Sequence, residues 1–233
     1  MLNRNDKAKL LDRCASNYAK FGYSHHSLDW NKGKQDIRFY MLLTDVQPEG
    51  KTVIDVGCGF GDLLPFWRKK GGESYLGVDI APEFINEAKI LHANVSDSSF
   101  ILADFSDDDF KHEADFVVAS GTFNYRFDHT DNYQFIEGCL KKGFSLCKEA
   151  VIFNFLSDKV DWKYDNAWYS NPSFILDMCY GLSRNVILRN DYMPFEYTVA
   201  VFKDDSFEKS DTLFTRFKQI NRGGFNDVCH SAI

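Results

Sequence analysis

Several signatures are missing from this chain, and each absence removes a class of protein. The six cysteines (Cys14, Cys58, Cys139, Cys147, Cys179 and Cys229) stand apart, with no CxxC pair and no histidine partner at zinc-ligand spacing. Neither a disulfide scaffold nor a metal site is expected. No apolar run approaches the ~20 residues that a bilayer span requires. The opening MLNRNDKAKLLDRC has no long apolar segment after its charges, so no secretory leader is expected. Basic residues are outnumbered: 27 Lys and Arg face 34 Asp and Glu, a net charge of −7. Nucleic-acid binding draws on a basic face that displaces phosphate counterions, which argues against nucleic acid as the main partner. Low-complexity tracts and repeats of solenoid period are also absent. The expectation is a soluble cytoplasmic protein with reduced thiols; its oligomeric state is not written in these features.

What is present is apolar and ordered in a recurring way. Residues 5–20 have a helical pattern with Leu10, Leu11, Cys14 and Tyr18 near one face, and a second helix is expected over 35–46, closed by Pro48 and Gly50. Between them, 21–34 reads as irregular. Short apolar runs then alternate with helical stretches. Strands are expected over 51–57, 75–80, 99–105, 115–120 and 150–156, and helices over 62–71, 82–92 and 132–147. Strands that are apolar nearly throughout and separated by helices indicate a parallel sheet covered on both faces. The fold class is therefore α/β: a Rossmann-like, doubly wound, mostly parallel sheet behind a helical N-terminal extension. A helix over 172–182 precedes two runs, 184–191 and 195–203, joined too closely for a parallel crossover, so this C-terminal pair is expected to be antiparallel. Residues 204–233 show no readable pattern.

The sharpest local feature is VIDVGCGFGDL, residues 53–63, which sets Gly57, Gly59 and Gly61 between a strand and a helix. Glycines there let the backbone turn sharply and approach a ligand. A dinucleotide fold wants G-x-G-x-x-G, with pyrophosphate at the helix N-terminus, but its third glycine position is Asp62 here. Asp55 and Asp62 beside the turn disfavour pyrophosphate and suit a cofactor with an ammonium and a sulfonium centre; Asp55 has the alternative of holding the loop through backbone N–H groups. YLGVDI ends in Asp79, an acid placed to take two ribose hydroxyls. The third strand ends in Ala103-Asp104-Phe105, where Asp104 can accept from an adenine amino group and Phe105 or Ile80 can cover the ring.

Three such motifs, in order and each at a strand end, resemble the class I S-adenosylmethionine-dependent methyltransferase family across residues 53–120. The resemblance implies S-adenosyl-L-methionine as cofactor. The turn Gly57-Cys58-Gly59-Phe60-Gly61 would lie at its methionine part, Asp79 at the ribose, and Asp104 with the Phe105 amide at the adenine. Ser120 and Gly121, ending the fourth strand, complete the set. SLDWNKGKQDIRF (27–39) and SGTFN (120–124) are similar to a bacterial subgroup associated with glycan and small-molecule pathways. There Gln35 and Arg38 share a helical face, and Arg38 is a candidate partner for the methionine carboxylate, with a surface ion pair as its alternative. The implied layout is one methyltransferase domain over 1–233: a helical cap (1–50), a cofactor core (51–156), and an acceptor side with the last strands (157–233).

The acceptor is less legible. The Asn/Asp-Pro-Pro-aromatic motif of many base- and amide-modifying relatives is missing after the fourth strand; Asn171-Pro172-Ser173-Phe174 follows the fifth strand and reads as a decoy. His129 is the candidate base, with Asn124 and Tyr125 as acceptor-orienting groups. His25 and His26 lie in a segment that could close over the site. The aromatic tail, with Trp162, Tyr164, Trp168, Tyr169, Phe174, Tyr192, Phe195 and Tyr197, reads mostly as core, with an acceptor pocket as its alternative. A hydroxyl or amine of a small molecule, sugar-like or otherwise, is the expected acceptor. Protein methylation and a non-catalytic cofactor-binding partner stay open.

Overall fold

The computed structural model describes residues 1–30 and 34–220. In chain order its elements are α1 (Arg4–Phe21), α2 (Gln35–Leu42), β1 (Thr52–Val56), α3 (Leu64–Lys69), β2 (Ser74–Asp79), α4 (Pro82–Leu91) and β3 (Ser98–Leu102). There follow β4 (Ala114–Ala119), α5 (Asn132–Leu146), β5 (Cys147–Leu156), α6 (Pro172–Tyr180), β6 (Val186–Arg189), β7 (Glu196–Phe202) and α7 (Thr215–Ile220). The lead-in residues Asn31, Lys32 and Gly33, and Cys229 and His230 in the tail, lie outside the described residues.

The strands form one sheet in the order β3-β2-β1-β4-β5-β7-β6. β1 to β5 run parallel, and β7 is antiparallel to both β5 and β6, as the short link between the last two strands requires. The chain builds outward from β1 to β3, then returns to place β4 on the other side of β1. That reversal opens a crevice at the carboxyl ends of β1 and β4, where open α/β sheets bind ligands.

Alternation along the strands explains the two cores. Ile54, Val117, Phe153 and Val199 face one side, against α5 and α6, while Val53, Phe116, Ile152 and Ala200 face the other. Both faces are buried, so the strands read as continuous apolar runs.

Element ends depart from the sequence pattern for local reasons. The second helix stops at Leu42 because Leu43 and Thr44 tighten into i to i+3 bonds and the Thr44 hydroxyl donates to the Tyr40 carbonyl at 2.8 Å. The third strand ends at Leu102: Asp104 turns back on Ser106, accepting its N–H at 2.9 Å. Asn171 is the N-cap of α6, accepting from the Ser173 N–H at 2.9 Å. No helix among the described residues is long and apolar enough to cross a membrane.

Candidate active site

A cavity of about 780 Å³ opens over the carboxyl ends of the parallel strands, with α1 and the start of α2 forming part of its wall. The turn after β1 makes its floor. Gly57 sits at φ +68°, and a Cβ there would lie 2.5 Å from the Thr122 hydroxyl, so conformation and packing both demand glycine. The Gly57 and Cys58 N–H groups donate to the Val78 carbonyl at 2.7 and 3.1 Å, tying the turn to β2. Cys58 is buried, which pushes its thiol well above the usual range.

Asp79, ending β2, accepts from the Gly59 N–H at 3.0 Å and from the Ala81 N–H at 2.9 Å. It lines the cavity beside Ile80, and each oxygen keeps a further lone pair. Burial raises its pKa, while those two N–H groups pull it down. Asp55 is 3% exposed and accepts from the Tyr75 hydroxyl at 2.5 Å. Burial pushes its carboxyl up to about 7; the Tyr75 bond opposes this and the nearby Asp79 and Asp62 add to it. The reading of Asp55 as the holder of the loop is therefore corrected: the loop N–H groups go to Val78 and Asp79, because Asp55 is turned to Tyr75 in the interior.

At the far end, Asp104 accepts from Lys7 Nζ at 2.7 Å and from the Ser106 hydroxyl at 2.7 Å. Burial raises this carboxyl and the Lys7 and Ser106 bonds more than offset it, leaving a lowered pKa. Phe105 packs on Phe110 at 5.3 Å and also reaches the cavity wall. Nothing in the sequence announced Lys7, whose contact with Asp104 spans 97 positions.

Ser120 and Gly121 line the cavity at the end of β4. The Gly121 N–H donates to Asn154 Oδ1 at 3.2 Å, and the Trp30 ring occupies the space a Cβ at Gly121 would need. Trp30 also lies over the Arg38 guanidinium, 3.0 Å from ring centroid to Cζ. Arg38 is 4% exposed and makes a two-pronged pair with Glu196 at the start of β7, yet its Nη1 is buried without a hydrogen-bond partner. The surface-pair alternative is thus corrected to a buried one. Gln35, one turn earlier on α2, is half-buried on the same cavity.

The expected acceptor groups divide. Asn124 and Tyr125 line the cavity, with Asn124 Oδ1 accepting from the Leu156 N–H at 3.1 Å. His129 does not: it is exposed outside the lining, because buried Asp6 of α1 accepts the backbone N–H groups of Asp128 and His129 and turns this loop toward α1. His25 and His26 are likewise exposed and outside the lining, their rings 4.2 Å apart. Among the described residues no group of three or more His, Cys, Asp or Glu is placed to hold a metal ion. Sequence reading missed Asn154 and Glu196, although a polar residue inside AVIFNFL and at the head of the apolar FEYTVAVF was a usable signal; Tyr192, one of the aromatic-tail residues, lines the cavity.

Residues 53–143 match a family model described as a methyltransferase domain. No curated protein matches the chain. Among solved structures it is similar to magnesium protoporphyrin IX methyltransferase from Synechocystis PCC 6803 with bound SAH, at TM-score 0.61 and 16% identity over 84% of this chain and 99% of that one. It is also similar to DhpI in complex with SAH, at TM-score 0.61 and 14% identity over 84% and 93% of the two chains. A third likeness, at TM-score 0.54 and 18% identity over 86% and 98%, is to a Haloferax volcanii complex with the Trm112 methyltransferase activator. At such identities the likeness is one of fold. Strand order and glycine turn agree with the family match over residues 53–143, and the chain has the fold of the methyltransferase structures it resembles. One of these similar structures, the Synechocystis PCC 6803 methyltransferase, has also been solved with bound SAM.

Proposed function

We propose that the chain methylates a hydroxyl or amine of a small molecule, and that the cofactor lies along the crevice from Arg38 to Asp104. The observation that carries this is Asp79, whose carboxylate is fixed by two backbone N–H groups with lone pairs left for a ligand. The cavity fits the group: a floor without Cβ atoms at Gly57, an acid for ribose hydroxyls, and an unpartnered buried N–H on Arg38 for a carboxylate. When bound, the cofactor supplies a methyl group on a sulfonium, transferable by in-line displacement.

The chain's residues bind and orient. Asp79 takes the ribose hydroxyls. Ile80 and Phe105 flank the adenine, with Asp104 and the Phe105 amide at its edge. The turn from Gly57 through Cys58 and Gly59 to Gly61 lies against the methionine part, together with Ser120 and Gly121. Arg38 Nη1 meets the methionine carboxylate, with Gln35 beside it, and Asp55 adds negative charge behind the positive centres when ionised. Asn124 and Tyr125 stand on the acceptor side.

The test is incubation of purified protein with methyl-labelled cofactor and a native metabolite extract. Label in a small molecule, lost with Asp79→Ala, is expected; label confined to a protein band would move the reading to protein methylation. Activity that appears only with an added partner is the second reading, raised by the Haloferax volcanii complex with its activator.

A further inference from the structure

Asp104 is where the crevice meets a side chain from a distant part of the sequence. One of its oxygens is taken by Ser106: Oδ1 accepts the Ser106 N–H at 2.9 Å and the Ser106 hydroxyl at 2.7 Å. The other, Oδ2, accepts from Lys7 Nζ at 2.7 Å. An ionised carboxylate has about two lone-pair sites on each oxygen. The acceptor position left on Asp104 therefore lies on Oδ2, the oxygen that Lys7 holds.

The lysine is delivered by the first turn of α1. Asn3 caps that turn, accepting from the Asn5 N–H at 2.8 Å, and its own N–H donates to Thr130 Oγ1 at 3.0 Å. Asp6, 1% exposed, accepts from the Thr130 hydroxyl at 2.7 Å as well as from the Asp128 and His129 N–H groups. With Asp6 locked against the loop after β4, the next residue, Lys7, reaches the turn after β3. Asp104 lines the cavity and Lys7 does not. The lysine stands behind the carboxylate.

Two lysines of α1 make ion pairs of nearly equal length in different settings. Lys9 meets Asp128 at 2.6 Å with the two side chains 60% and 54% exposed, where an ion pair is worth little. Asp104 is only 7% exposed, so water does little to hold its charge and the Lys7 ammonium favours the ionised form. Asp107, 52% exposed and 4.0 Å from Lys7 Nζ, is the weaker partner. An ionised carboxylate accepts hydrogen bonds and donates none. Facing a purine, it suits a ring that carries an amino group and gains nothing from one that lacks it.

Resting on the methyltransferase reading above, we infer that Lys7 is a positioning residue for base selection: from α1 it fixes Asp104 Oδ2 as the acceptor for the 6-amino group of the cofactor's adenine, without touching the cofactor itself. The test is calorimetry with S-adenosylhomocysteine and with its purine-riboside analogue, which carries hydrogen in place of the 6-amino group. Both ligands are titrated into the wild-type protein, Lys7→Met, Lys9→Met and Asp104→Ala. The wild type should favour the amino ligand about tenfold, the size of one hydrogen bond to a charged group. Lys7→Met should lose most of that preference by binding S-adenosylhomocysteine more weakly, while the analogue, which never used the acceptor, keeps its affinity. Lys9→Met unfastens the same helix at an exposed pair and should leave the preference intact; Asp104→Ala should abolish it. An unchanged preference in Lys7→Met, equal losses for both ligands, or the same loss of preference in Lys9→Met overturns the inference. Wild-type protein that binds both ligands equally removes the adenine from Asp104, and this inference with it. Wild-type protein that does not bind S-adenosylhomocysteine removes the methyltransferase reading itself.

Discussion

Replacing Asp79 with alanine tests the binding mode at its best-defined point. In the folded protein each carboxylate oxygen accepts one backbone N–H, from Gly59 at 3.0 Å and from Ala81 at 2.9 Å. Alanine therefore removes the acceptor for the ribose hydroxyls and also releases one N–H of the glycine turn. Leaving buried polar partners unmatched costs about 1–3 kcal/mol, or roughly a 5- to 150-fold loss of affinity. Asparagine keeps one oxygen and the shape, so its loss should sit near the lower bound. Calorimetric titration with S-adenosylhomocysteine gives the constants. A parallel titration with its 2′,3′-dideoxy analogue isolates the ribose contribution: the gap between the two ligands should close in Asp79→Ala. Unchanged affinity in Asp79→Ala, or equal losses for both ligands, would show that Asp79 does not hold the ribose.

Other expectations follow from the same geometry. Gly57→Ala places a methyl against Thr122 at a positive φ and should cost roughly 1–3 kcal/mol of stability, read by denaturant unfolding. Arg38→Met leaves Glu196 buried without its partner and should destabilise by about 3–5 kcal/mol; adding Glu196→Gln should recover much of that, and no recovery would refute the pairing argument. Burial raises the Asp55 carboxyl from 3.8 to about 7, so the folded state holds this proton more tightly than the unfolded chain. That contribution is full below pH ~4 and lost as pH rises through ~7. The Tm of the protein minus that of Asp55→Asn should accordingly fall between pH 4 and 7, and a constant difference would contradict the burial argument. Asp6→Ala frees the N–H groups of Asp128 and His129, and hydrogen exchange should quicken at 128–130 and along α1.

What could be read from the chain beforehand follows a physical divide. The α/β order, the parallel strands and the antiparallel last pair were visible because strands buried on both faces leave uninterrupted apolar runs, and a short link forbids a parallel crossover. The placement of the glycine turn and Asp79 at the strand ends facing the cavity was visible because it depends on neighbours close in sequence. Contacts across long separations were not: Lys7 on Asp104, Arg38 on Glu196 and Asp6 under the 128–130 loop join residues with no shared pattern. His129 was misplaced for this reason, since its position after β4 says nothing about which way Asp6 turns the loop. Asn154 and Glu196 showed only as unexplained polar residues in or beside apolar strands.

The central claim is the identity of the cofactor, and calorimetric titration of the purified protein with S-adenosylhomocysteine, run beside NAD, tests it most directly. The account predicts micromolar binding of S-adenosylhomocysteine and no heat from NAD. Tight binding of NAD, or of neither ligand, would contradict it.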